Sequence, residues 1–149
     1  MLTKKGKYGL KAMVDLAGCE PGKPVLVTDI AVRNGIPKKF LDTILGELKN
    51  AGFLHSKKGK GGGYVLGRPA SEIRVGHIVR VLDGPLAPIP CASRTAYQRC
   101  DDCADENQCA VRLMMLEVRQ AISTVLDGRT LAEMRSLADL DDLTFMYNI

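Results

Sequence analysis

Five cysteines stand in 149 residues, and four of them, Cys91, Cys100, Cys103 and Cys109, fall within 19 consecutive positions while Cys19 stands apart. Thiolates are soft ligands, so a segment that gathers three or four of them can hold a zinc ion or an iron-sulfur cluster. The intervals are eight, two and five intervening residues, with one short pair only, and neither His55 nor His77 is near in sequence. Zinc sites ordinarily combine paired short spacings. The pattern therefore favours an iron-sulfur cluster over zinc, with cluster-free thiol sensing as a third reading. Asp101, Asp102, Asp105 and Glu106 make the segment acidic, and negative neighbours disfavour thiolates unless a metal holds them. Cys19 follows Leu16, Ala17 and Gly18, where a free cysteine reads as a small apolar residue. A catalytic dithiol at Cys100 and Cys103 would need a strand-to-helix setting that the sequence lacks, and two scattered histidines build no triad. An enzyme is not expected.

A second constellation is basic. In Lys57-Lys58-Gly59-Lys60-Gly61-Gly62-Gly63-Tyr64, three lysines share a turn with four glycines, which suits a hairpin tip whose backbone and cations approach phosphates or a minor groove. A nucleotide phosphate loop would require Gly-Lys-Ser/Thr leading into a helix, and that is absent. Lys38, Lys39 and Thr43 open a helix on the side away from Phe40, Leu41 and Ile44, so they can face bases or phosphates, with Asp42 beside them to read an exocyclic amine. Two lysines at a helix start also fit a plain solvated face. The net charge of +4 hides a split: residues 1–80 carry 15 Lys+Arg against 6 Asp+Glu, whereas residues 81–149 carry 6 against 11. The front half calls for a polyanion partner, the back half for another task.

The elements that must position these residues follow from apolar spacing. Tyr8 to Ala17 repeats at helical period; Thr28 stands where it would cap a short helix ended by Gly35; Pro37 suits the first turn of a helix running through Phe40, Leu41, Ile44, Leu45 and Leu48 to Gly52. A hairpin of Phe53 to Ser56 and Tyr64 to Leu66 then reads as a wing, and Ile73 to Leu82 as a helix returning to the same core. Asp83 to Gln108 reads as a loop. Ala110 to Leu126 is a strongly periodic helix, and nothing after it looks long enough to cover its apolar stripe, which a symmetric dimer would do. The expected fold is mainly α with a small β-hairpin wing: a winged helix-turn-helix DNA-binding domain (1–82), a cysteine-containing sensor loop (83–109), and a dimerisation helix with a C-terminal segment (110–149). No apolar run approaches a membrane span, and the start carries no signal-like stretch, so a cytoplasmic protein is expected.

Three segments carry a resemblance: LTKKGKYGLKAMVDLA at the start, VTDIAVRNGIPKKFLDTILGELKNAGFL, and the wing SKKGKGGGYVLGRPASEIRVGHIVRVLDG, followed by the cysteine segment and a long helix. Together, over residues 1 to about 135, they resemble the Rrf family of bacterial winged-helix transcription regulators, which includes IscR-, NsrR-, RirA- and CymR-like members. The resemblance implies a homodimer on double-stranded DNA at a palindromic promoter site, with Lys38, Lys39, Thr43, Lys57, Lys58, Lys60 and Tyr64 on the DNA side. It further implies a [2Fe-2S] or [4Fe-4S] cluster on Cys103 and Cys109, with five residues between them, and on Cys91. The sequence departs from the family by its additional Cys100, by Arg112 where IscR-like members place a histidine ligand, and by Tyr8 where NsrR-like members place a carboxylate. Cys100 is the candidate for the fourth ligand. The alternative is a cluster-free repressor governed by thiol chemistry or by a partner protein; a zinc regulator or a pure interaction module leaves more unexplained.

Overall fold

The computed structural model describes the backbone of residues 2–147 and the side chains of residues 2–139. In chain order come α1 (Lys4–Ala17), α2 (Val27–Asn34), α3 (Lys38–Asn50), β1 (Leu54–Lys57), β2 (Gly63–Leu66), α4 (Val75–Asp83), α5 (Ala110–Gly128) and α6 (Leu131–Tyr147), with short 3-10 turns at Ala70–Glu72 and Pro90–Ala92. The apolar stripes seen in the sequence converge on one core: Leu10, Met13 and Leu16 of α1, Ile30 of α2, Leu41, Ile44, Leu45 and Leu48 of α3, and Ile78, Val79 and Leu82 of α4. Tyr8 stacks edge-on against Phe40 with ring centroids 5.5 Å apart, joining α1 to α3. Tyr8 is thus spent on packing.

Several boundaries move, each for a local reason. Thr28 does not cap α2. Leu26 holds that position, and its carbonyl accepts from the N–H groups of Asp29 (3.1 Å) and Ile30 (3.2 Å), so the helix begins earlier and Thr28 lies inside its first turn. Gly35 does end α2, in the left-handed region at φ 63°. Pro37 sits one place before α3 rather than within it, its carbonyl accepting from Leu41 N–H at 3.0 Å. At the other end of the domain, α1 starts at Lys4 because the Thr3 hydroxyl accepts from Gly6 N–H (3.1 Å), while Asp83 accepts from both the Thr3 amide (2.9 Å) and the Thr3 hydroxyl.

The hairpin is antiparallel, with Leu54 opposite Leu66 and Lys57 opposite Gly63. Its base is fastened to the entry of α2 by reciprocal hydrogen bonds between Val25 and Tyr64, at 2.8 and 2.9 Å. This fastening gives Gly63 a structural reason, because a Cβ there would lie 2.2 Å from the Val25 carbonyl oxygen; at Gly62 the hairpin turn does the same, with a Cβ 2.2 Å from the Lys57 carbonyl oxygen.

The largest departure from expectation is α6. A seventeen-residue helix follows α5, opened by a reciprocal cap in which Glu133 accepts from Thr130 N–H and the Thr130 hydroxyl accepts from Glu133 N–H, each at 3.1 Å. It packs along α1 and the Ala70–Glu72 turn rather than covering α5. Ile73 and Arg74 are consequently extended instead of helical: Val75 N–H donates to Arg129 O (3.0 Å), Leu131 N–H donates to Ile73 O (2.8 Å), and Leu131 is fully buried in the winged core.

Candidate functional site

The basic surface is assembled by α3 and the hairpin. On α3, Lys38, Lys39, Asp42 and Thr43 are all exposed, opposite the buried Leu41, Ile44 and Leu45. Lys38 Nζ lies 3.0 Å from an Asp42 carboxylate oxygen, and the Thr43 hydroxyl donates to Lys39 O at 3.4 Å. Lys38 and Asp42 therefore offset one another, and among the described residues Lys39 forms no ion pair. At the wing, Lys57, Lys58 and Lys60 are exposed and likewise unpaired among the described residues. Tyr64 is half-buried, with its ring against the core, so its side chain belongs to the root of the wing rather than its tip.

The cysteine loop is held against α5. Cys91 lies in the Pro90–Ala92 turn, which packs on α5, and Cys91, Ala92 and Ser93 are buried at 4, 1 and 7% exposure in an otherwise exposed stretch. Cys100 is exposed; Cys103 and Cys109 are half-buried, Cys109 immediately preceding the first turn of α5. The Cys91 thiol nearby, with Asp102 and Cys103 also near, pushes the Cys100 thiol above its ordinary range. Cys91 and Cys100 are thus brought together. Four thiols in one loop are the right chemistry for zinc or an iron-sulfur cluster, yet among the described residues no three His, Cys, Asp or Glu side chains are placed to hold one metal ion. As folded, the loop does not fit either group. Cys19 lines a separate cleft at the wing base with Val65 and Pro69, its thiol donating to Asp15 O at 3.3 Å.

Sequence reasoning missed the arginines of α5. Arg112 Nε donates to Cys91 O (3.0 Å) and its Nη1 to Glu106 O (3.4 Å), while Arg119 Nη1 donates to Ala92 O (2.8 Å). Arg112 had registered only as the absence of a histidine. At the opposite end of α5, Arg80 of α4 grips Asp127 with two bonds of 2.7 and 2.8 Å. That contact holds the Asp127 carboxyl below the usual carboxylate range and raises the Arg80 guanidinium. Pairs 47 residues apart leave no local signal in a sequence.

With this geometry in place the chain can be set beside known proteins. The profile of the Rrf2 family, described as "Iron-dependent Transcriptional regulator", matches residues 2–136. The chain belongs to the Rrf2 family. An rrf2-like HTH-type transcriptional regulator of Rhodobacter capsulatus is 42% identical over 90% of this chain and 91% of its own length. The HTH-type regulator CymR of Bacillus subtilis is 32% identical over 99% of both chains. Its solved structure, titled as that of the global cysteine regulator of B. subtilis, superposes with a TM-score of 0.76 at 33% identity, covering 92% of this chain and 97% of that one. The structure of T. potens IscR superposes with a TM-score of 0.72 at 32% identity, covering 99% and 96%. The winged fold expected from the sequence is the fold of these Rrf2 neighbours. As an Rrf2 chain of this kind it is an HTH transcriptional regulator from a family of regulators rather than enzymes. No described helix is long and apolar enough to cross a membrane.

Proposed function

We propose that this chain is a dimeric DNA-binding regulator whose affinity for a palindromic site is set by the state of its cysteine loop. The observation that carries the reading is α5: nineteen residues with none buried, and with Val111, Met114 and Val125 exposed at 64, 55 and 60%. A cavity of about 610 Å³, lined by Leu10, Val79, Leu86 and Val125 among others, opens beside it between α1, α4 and α5. An apolar helix of this length left uncovered is what a second copy would bury. Two wings then meet two half-sites. Lys57, Lys58 and Lys60 anchor phosphates, Lys38, Lys39 and Thr43 face the groove, and Tyr64 fixes the wing root beside them. In this reading residues 1–82 bind DNA, 83–109 sense, and 110–149 dimerise, α6 also bracing the winged core.

Two chemistries suit the loop. An iron-sulfur cluster on Cys91, Cys100, Cys103 and Cys109 is favoured by the four thiols and by the family's description as iron-dependent; it requires the outer loop to close on Cys91. A cluster-free thiol sensor is favoured by the nearness of Cys100 to Cys91. Purification without oxygen, followed by a visible spectrum and iron, sulfide and zinc analysis, separates them. Iron and sulfide with a broad band in the visible establish the cluster, whereas colourless, metal-free protein establishes the thiol sensor. One zinc per chain would overturn both.

A further inference from the structure

We propose that Arg112 and Arg119 are the positioning residues of the cysteine loop, clamping Cys91 as its fixed point while the segment carrying Cys100 and Cys103 is left to move. The inference rests on the sensor reading above and assigns how the sensor is built. The two arginines lie seven residues apart, two turns of α5, and so on one face of that helix. Each sends a guanidinium to a carbonyl of the same buried turn, Arg112 to Cys91 and Arg119 to Ala92. Carbonyls shut away from water need donors, and no backbone N–H supplies these two among the described residues. Arg112 also reaches Glu106 O, so one side chain ties the limb that enters the loop to the limb that leaves it. Everything from Arg94 to Asp102 is exposed. Within that outer part the ties are single hydrogen bonds made by exposed residues: Tyr97 donates to Glu106, Arg99 Nη2 to Cys103 O at 3.1 Å, Arg94 Nη2 to Gln120 Oε1 of α5 at 3.2 Å, and Gln98 N–H to Pro90 O at 3.3 Å.

The order of thiol reactivity follows. In the native reduced protein, Cys91 should react with iodoacetamide far more slowly than Cys103. Arg112→Ala removes a charged donor from a buried carbonyl, which should open the turn and raise the Cys91 alkylation rate about ten-fold relative to Cys103 in the same chain. Arg112→Lys, able to serve one carbonyl but not two, should fall between. Peptide mass spectrometry reads all the loop cysteines in one sample, and Arg119→Ala gives the same test should Arg112→Ala fail to fold. A Cys91 rate unchanged in both alanine variants overturns the clamp. So does an equal rise at all four loop cysteines, which reports general loosening instead. DNA binding is not read in this experiment, so the clamp and the regulatory reading can fail separately.

Discussion

The two ends of α5 are held by different physics. At its C-terminal end the Arg80–Asp127 fork, the paired backbone of residues 73–75 and 129–131, and the buried Leu131 weld the helix to the winged domain. At its N-terminal end guanidinium-to-carbonyl hydrogen bonds hold a small buried turn and an exposed loop. The first attachment is part of the core and persists as long as the domain is folded. The second can be rearranged at a cost of a few hydrogen bonds. On the proposed reading the sensor sits at the second end, where a change of ligand or oxidation state competes with little, and its message would travel along α5 to the winged domain.

The contrast can be broken first at the welded end. Leu131→Ala should cost about 2 to 5 kcal/mol, as other large-to-small changes in closed cores do, whereas the exposed loop change Gln98→Ala should stay within about 0.5 kcal/mol. Urea unfolding of both variants checks this. Next is the uncovered face of α5. A carboxylate at Met114 would be buried without a partner in each copy, so Met114→Glu should weaken self-association about 100-fold or more, seen by sedimentation, while the monomer keeps its helical signal. For the wing, replacing Lys57, Lys58 and Lys60 together by Ala should reduce the slope of log affinity against log salt by about 2 to 3, and should do so equally on all sequences.

The smallest effect concerns the fork. Arg80 holds the Asp127 carboxyl below its unfolded value, so the stabilisation is complete above the ordinary carboxylate pKa of about 4 and is lost as pH falls through the lowered one. Both side chains are about one-third exposed, and solvent screening limits the contribution to about 1 kcal/mol. Asp127→Asn should differ from the native protein by that amount between about pH 5 and 7, with the difference vanishing as pH falls through the lowered carboxyl value.

What could be read from the sequence was what periodicity records. The stripes of α1, α3, α4 and α5 and the glycine-lysine wing each declare themselves within a dozen residues, because burial imposes a repeat. The α6 helix escaped notice although Thr130-Leu131-Ala132-Glu133 spells its cap, since Glu133, Arg135 and Asp139 interrupt the apolar positions. The loop was legible as a cluster of thiols but not as a structure. Its order comes from Arg112 and Arg119, which in sequence look like the solvated face of a helix, and from the meeting of Cys91 with Cys100 across a chain reversal. Likewise, the capture of Thr3 by Asp83 joins residues 80 apart, which no local pattern encodes.

The claim that the cysteine loop governs DNA binding is tested most directly by one titration. In a Cys19→Ala background, a duplex selected by the protein from random sequence is titrated with reduced protein and with protein whose loop thiols have been alkylated, at one salt concentration. Kd values at least about ten-fold apart are expected, in the range of ordinary allosteric coupling, with unchanged affinity for non-specific DNA and an unchanged dimer. Identical Kd values for the two forms on the selected duplex would contradict it.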